Sequence, residues 1–347
     1  MNYVGVDLHK ERSWFYIMNE QGKKISSKSI SNELGVLKEY FQSITKPFTL
    51  AVEATYNWYF FVDLAEEYAD KVYLANSYEL KAFAKRNKKT DKIDARLIAD
   101  ILRKGYLPSV HIADKETREL KESLRYRMNL IKDRSKAIFR LKALLDKLGM
   151  QATGDFTTNK ALDNIDFTSI PTGYHSLVNK YIEQLKWYWE KLWGYRKNLE
   201  KRLITDQDIL NLISIPGIGF FSAALIKTEI ADISRFKNFN RLCSYAGLAP
   251  SVHQSANTCR RGPLSKNRCK NLQWILLENS IHFIHAMPSI AKKHERIKQR
   301  KSYNTAKVAC ARDMLKAVYH VLKDKRKFFI KKNDVIRTHA ISALSGV

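Results

Sequence analysis

The feature that most constrains this chain is a carboxylate set inside its first apolar run. Tyr3-Val4-Gly5-Val6-Asp7-Leu8 reads as a strand, and Asp7 stands among residues that such a strand buries. An ionised carboxylate there is costly unless a cation or hydrogen bonds compensate it. Residues 12–18 and 24–30 read as two further strands around a turn at Gln21-Gly22, so the N-terminus is a β-meander. Residues 32–43 carry Leu34, Leu37 and Phe41 on one helical face, and residues 48–53 are an apolar run that ends in Glu53. A helix over 58–68, a short strand over 72–75 and another helix follow, which predicts an α/β domain.

Glu53 closes the central strand, and Asp91 and Asp94 open a helix within KKTDKIDARLIADIL. Their i, i+3 spacing puts Asp91 and Asp94 on one helix face. Adjacent strands would bring Asp7 beside Glu53. Converging carboxylates repel unless cations neutralise them. Mg²⁺ is hard, seeks oxygen and shares ligands with phosphate, and two such ions can activate a nucleophile and stabilise a leaving oxygen. The plainer readings stay open on the residues alone: Asp91 as an acid favoured at a helix N-terminus, Glu53 as a strand-end surface residue.

Charge narrows the partners. Lys and Arg number 61 against 35 Asp and Glu, a formal net charge of +26, which draws polyanions and nucleic acid first among them. A ribosomal or membrane-surface protein is the other reading of charge alone. Lys85, Arg86, Lys88, Lys89 and Lys92 crowd the acids, and Lys292, Lys293, Arg296, Lys298, Arg300, Lys301 and Lys307 form a second basic region. Hydrophobic residues make up 45% of the chain, so it is globular rather than disordered. No apolar run approaches the about 20 residues that cross a bilayer, and the N-terminus does not read as a signal peptide. A cytoplasmic, nucleoid-associated protein without a membrane partner is expected. Cys243, Cys259, Cys269 and Cys310 form no C-x-x-C pair, so a zinc site is not expected and reduced thiols are.

From about Lys115 a helical stripe runs through Leu120, Leu124, Ile131, Ile138 and Leu145, helped by Met128, Leu141 and Leu148. Residues 151–172 read as a loop. A second long helix carries Val178, Leu185, Leu192 and Leu199 at heptad spacing, with Ile182, Trp189 and Leu203 between them. The expectation is a coiled-coil helical hairpin, either serving a homo-oligomer (dimer or tetramer) or packing within one subunit. Trp187, Trp189 and Trp193 can stack on RNA bases, although the position of Trp189 in the seam favours helix packing. The expected domains are 1–110, a helical region over 111–205, a mainly α-helical C-terminal domain over 206–332 and a tail over 333–347.

V-G-V-D at the N-terminus, A-V-E-A-T around Glu53 and K-T-D-x-x-D-A at 90–95 resemble the DEDD signature of a RuvC-like domain. That domain opens the DEDD insertion-sequence transposases, relatives of the pilin-gene invertases. S-I-P-G-I-G (214–219), S-R-F (234–236), L-C-S-Y-A-G-L-A-P (242–250) and Q-S-A-N-T-C-R-R-G-P-L-S-K (254–266) resemble their C-terminal transposase domain. The resemblance spans nearly the whole chain in the family's order. It implies a ribonuclease H-like (RuvC-like) N-terminal fold, with Asp7, Glu53, Asp91 and Asp94 as catalytic ligands of Mg²⁺. It implies Ser255 as nucleophile, strand exchange between donor and target DNA, and a structured guide RNA, the family's bridge RNA. It also implies active sites that join the acidic domain of one subunit to the serine domain of another. The chain departs from the family where Ala256 follows the serine, where Arg268 and Cys269 replace the usual Gly-Asn, and at Gln273, where arginine is usual.

The same segment can be read physically. A serine hydroxyl needs its proton taken, or its pKa lowered, before it attacks. Arg260 and Arg261 can stabilise phosphoryl charge, Lys266 can hold a phosphate, and His253 is either a proton carrier or a surface residue. Ser251 and Ser265 are the competing hydroxyls. Gly217 and Gly219, in I-P-G-I-G, either let a helix N-terminus approach a phosphate or make a tight turn between packed helices. Two other functions remain: a RuvC-like nuclease that only cuts, using water, and a non-catalytic nucleic-acid-binding derivative.

Overall fold

The computed structural model describes residues 1–83, 90–150, 154–255 and 258–329; for 252–255 and 258–261 it describes the backbone. The chain divides into two compact units, Met1–Ala113 and Asp114–Val347.

The N-terminal unit is a six-stranded sheet with helices on both faces. β1 (Asn2–Leu8), β2 (Arg12–Met18) and β3 (Lys24–Ser31) form the antiparallel meander. β4 (Phe48–Glu53) lies parallel to β1 on its other side, and β5 (Lys71–Ala75) lies parallel to β4. A two-residue strand, β6 (Ser109–Val110), closes the order β3-β2-β1-β4-β5-β6. It is too short to leave a periodic signal. The helices are α1 (Leu34–Ser43), α2 (Trp58–Ala65), α3 (Ser77–Leu80) and α4 (Asp91–Arg103).

Strand alternation divides the core. Val4, Val6 and Leu8 of β1 and Leu50 and Val52 of β4 pack with Leu37, Phe41, Phe61 and Val62 of α1 and α2. Tyr3, Ala51 and Ala75 belong to the opposite face, with Ile98 and Ile101 of α4. Asp7 and Glu53 share the parity of that second face. Gly5 is what lets α4 lie close against it. A Cβ on Gly5 would fall 2.2 Å from the Ala95 carbonyl oxygen and 2.4 Å from the Ala99 nitrogen.

The C-terminal unit begins with two long antiparallel helices, α5 (Lys115–Lys147) and α7 (Thr172–Leu203). Val178, Ile182 and Leu185 are buried with Ala137, Leu141 and Leu145 at one end of the hairpin; Leu199 and Leu203 join Leu120, Leu124 and Met128 at the other. Leu185 and Leu199 of the heptad are therefore packed with the chain's own α5. Trp189 departs from the expected seam packing: it is 38% exposed and stacks on Trp193 at 5.8 Å. It sits where the two apolar clusters separate. The loop expected over 151–172 contains a short helix, α6 (Asn159–Asp163), whose Leu162 packs with Phe156 and Ile170. Five residues are too few to show a helical period.

Beyond the hairpin come α8 (Gln207–Ile213), α9 (Phe220–Ile230), a 3₁₀ turn at Ile233–Arg235 and α10 (Phe239–Tyr245). A hairpin of β7 (Pro250–Ser255) and β8 (Thr258–Leu264) then leads into α11 (Lys270–Ala286), α12 (Pro288–Arg300) and α13 (Tyr303–Asp324). The tail over 333–347 lies outside the described residues. Among the described residues no helix is long and apolar enough to cross a membrane.

A buried ion network ties these helices together. Glu229 of α9 is 1% exposed and faces Lys121 at 3.2 Å and Arg125 at 3.3 Å, both on α5. Asn271 of α11 donates to it at 3.0 Å. Burial pushes the Glu229 carboxyl up, but Lys121, Arg125 and the Asn271 hydrogen bond outweigh it and hold the group below its ordinary range. Glu229→Ala should cost roughly 1–3 kcal/mol, because it strips the partly buried Lys121 and the Asn271 amide of their buried partner. Urea unfolding checks this; a loss below about 1 kcal/mol would mean that packing alone holds α5, α9 and α11.

Candidate functional site

The N-terminal unit gathers the four acids singled out from sequence. β1 and β4 pair in parallel with Val6 opposite Val52, so Asp7 and Glu53 follow side by side. α4 starts directly above them: Thr90 caps it by accepting from the Ile93 N–H at 3.3 Å, which leaves Asp91 and Asp94 in the first turn. Asp7 is 5% exposed; Glu53 and Asp94 are half-buried and Asp91 is exposed. The Asp7 carboxyl is raised to about 6, first by burial and further by the charges of Glu53, Asp91 and Asp94, while His9 draws it back.

His9 was not foreseen. Its Nε2 lies 3.2 Å from Asp7 Oδ2 and 3.4 Å from Asp91 Oδ1. One donor atom from each of Asp7, His9 and Asp91 falls within 4.8 Å of the others. Glu53 and Asp94 act on Asp7 as neighbouring charges but lie outside that closest set. The available signal was the Asp-x-His spacing at the end of a strand. A buried carboxylate crowded by three others, with an imidazole at hand, fits a divalent cation in both charge and donor chemistry. Lys92 is exposed on α4, while Lys85, Arg86, Lys88 and Lys89 lie outside the described residues.

In the C-terminal unit Ser255 is the last residue of β7, paired with Thr258 at the tip of the hairpin. The side chains of Ser255, His253, Arg260 and Arg261, and the whole of Ala256, lie outside the described residues. The competing hydroxyls are engaged: Ser251 donates to the Pro263 carbonyl at 2.9 Å, and Ser265 accepts from the Asn267 N–H at 3.2 Å. Lys266 is exposed just beyond β8. Three residues that depart from the family pattern brace the foot of this hairpin against the turn after α10. The Arg268 stem packs on Gly247, the Cys269 N–H donates to the Tyr245 carbonyl at 2.8 Å, and Gln273 Nε2 donates to the Gly247 carbonyl at 2.7 Å.

The two glycines of I-P-G-I-G differ. Gly217 has a φ of +86°, and a Cβ there would press on the α11 backbone at 2.9–3.0 Å, so helix packing accounts for it. Gly219 caps α9 with open space around it. With Phe221, Ser222, Arg127 and Arg196 it lines a cavity of about 210 Å³. Arg127 lies over the Phe221 ring at 3.9 Å, and its guanidinium is lowered to about 10, chiefly by burial. On α7, Trp187 and Trp193 are exposed, with Lys191 over the first ring and Lys197 over the second.

Comparison with known proteins bears on both units. Residues 4–150 match the DEDD transposase family model of the IS110 type, and residues 210–295 match the model of the transposase IS116/IS110/IS902 family. The transposase for insertion sequence element IS1328 of Yersinia enterocolitica is 23% identical over 279 residues, 79% of this chain and 81% of that protein. The transposase for insertion sequence element IS1111A of Coxiella burnetii is 25% identical over 246 residues, 69% and 67% of the two chains. A pilin gene-inverting protein of Moraxella lacunata is 24% identical over 353 residues, 94% and 97% of the two chains. The family's chemistry uses divalent metal and acts on DNA. With both family blocks in order on one basic chain, this protein belongs to the IS110 family of transposases.

Proposed function

We propose that this transposase cuts and exchanges DNA strands through a covalent Ser255 intermediate. In this reading Asp7, Glu53, Asp91 and Asp94 hold Mg²⁺ on a RuvC-like, ribonuclease H-like domain. A structured guide RNA brings donor and target DNA to a homo-oligomer. The observation that carries the reading is the buried Asp7 carboxylate crowded by three further acids, an arrangement that wants a cation more than it wants to fold. A cation bound there supplies positive charge to polarise a phosphodiester and to stabilise a departing oxygen.

The chain's own residues do the rest. The Ser255 oxygen attacks phosphorus, the bond from phosphorus to one deoxyribose oxygen breaks, and the serine proton leaves so that the departing oxygen becomes a hydroxyl. The phosphoserine ester keeps the bond energy. A second strand's hydroxyl attacks that ester, restores a phosphodiester and returns Ser255, with no ATP. Ser255, at the hairpin tip, is the serine that the family resemblance points to, and the hydroxyls of Ser251 and Ser265 are already held in hydrogen bonds. Arg260 and Arg261 hold phosphoryl oxygens, while Lys92, Lys266, Gly219 with Arg127, and the exposed tryptophans contact nucleic acid. Lys85, Arg86, Lys88 and Lys89, close to Asp91 in sequence, add to the positive charge offered to nucleic acid.

The test uses the full chain with Mg²⁺, its guide RNA and labelled DNA carrying the element's ends. A protein–DNA adduct should survive denaturation in wild type, Ser251→Ala and Ser265→Ala. It should be absent, together with strand exchange, in Ser255→Ala, while binding persists. An adduct that survives in Ser255→Ala and disappears in a control would move the nucleophile. Mg²⁺-dependent cutting without an adduct in any form would establish the nuclease reading instead.

A further inference from the structure

We infer that His9 is a nitrogen ligand of the cation site, one that turns an all-carboxylate site toward transition-metal ions. The inference rests on the cation site proposed above.

Geometry carries it. Charge-assisted N–H···O bonds run about 2.7–2.9 Å. His9 Nε2 makes a hydrogen bond of 3.2 Å with Asp7 Oδ2 and stands 3.4 Å from Asp91 Oδ1, both longer than that. Oxygen and nitrogen donors about 2.1 Å from an octahedral ion lie about 3.0 Å apart on adjacent corners and about 4.2 Å apart across it. Both His9 separations fall between these limits, and the donor atoms of Asp7, His9 and Asp91 all lie within 4.8 Å of one another, so a small closure sets all three around one ion.

The residue is also held from behind. The His9 carbonyl accepts from Asn32 Nδ2 and from Asn57 Nδ2, each at 2.8 Å. Asn32 is fixed by Ser13 at 2.6 Å, and Asn57 by Thr55 at 2.9 Å, just past Glu53. Four side chains thus pin the backbone of a residue whose imidazole is itself 53% exposed. That cost in order is explicable when the ring must stay beside Asp7 and Asp91. Imidazole favours the later first-row ions, whereas carboxylates alone suit Mg²⁺. His9 should therefore widen the margin by which Co²⁺ outbinds Mg²⁺.

The experiment is pulsed electron paramagnetic resonance of Mn²⁺ added to the full-length protein, with Co²⁺ and Mg²⁺ affinities measured by competition. The wild type should show ¹⁴N coupling to bound Mn²⁺, and His9→Ala and His9→Asn should lose it while still binding the ion. Co²⁺ affinity should fall at least about tenfold in both variants, and Mg²⁺ affinity less than about threefold. Both variants keep the carbonyl that Asn32 and Asn57 use, so the fold survives; circular dichroism confirms this. Bound Mn²⁺ without ¹⁴N coupling in the wild type overturns the role of His9 and leaves the cation site standing. Coupling that persists in His9→Ala overturns it as well, by assigning another imidazole. A wild type that binds no Mn²⁺ overturns both readings together.

Discussion

Asp7→Asn should make the metal-free protein more stable while abolishing DNA cleavage. Asp7 is 5% exposed and its carboxyl is raised from 3.8 to about 6 by burial and by the acids around it, against the opposing pull of His9. Between those values the folded chain binds more protons than the unfolded one. Stability therefore falls as pH climbs from about 4 to about 6, and the loss is complete above that. Two pH units correspond to about 2–3 kcal/mol, which an amide at this position recovers near neutral pH. Unfolding in EDTA should show the wild type losing stability across that window and Asp7→Asn staying nearly flat. Saturating divalent metal should reverse the ranking, because only the wild type gains binding free energy. A variant no more stable than wild type in EDTA would mean that Asp7 carries no strain. A variant that still cleaves DNA at the wild-type rate would remove Asp7 from the site. The trade is one that functional sites make often: local stability is given up for a charge that the reaction needs.

Gly5→Ala should be nearly as damaging as a large substitution. The added Cβ meets the Ala95 carbonyl oxygen at 2.2 Å and the Ala99 nitrogen at 2.4 Å, both main-chain atoms that no rotamer change can move. The helix must lift from the sheet, and Asp91 and Asp94 ride on that helix. A loss of roughly 3 kcal/mol or more is expected in the N-terminal unit, with metal affinity lost in the same variant. Hydrogen exchange should show α4 opening first, since its contact with β1 is the one broken. Wild-type stability and metal binding in Gly5→Ala would mean that α4 does not rest on β1 in this way.

Much of the site was legible before any coordinates. An acid within V-G-V-D-L could not be indifferent, because a buried charge demands compensation. The strands over 12–18 and 48–53 announced themselves by apolar runs, and the two long helices by their spacing. Short elements such as α6 and β6 did not, because a few residues hold no period. Trp189 read as a seam residue because a heptad counts positions along one helix. Its exposure depends on what the facing helix offers at that level, where the two apolar clusters part.

Residue order alone determined the kinds of group present: the oxygen donors, the excess of cations, the apolar faces and the alternation that gives Asp7 and Glu53 one parity. The tertiary structure decided which of them meet. Nothing local says that β4 slots in parallel beside β1 at the register that sets Glu53 next to Asp7. Nor does anything local say that a missing Cβ at Gly5 admits α4, or that His9 ends within reach of Asp91. Those contacts join segments tens of residues apart, and they are chosen by steric fit and shared burial, which a linear pattern does not encode.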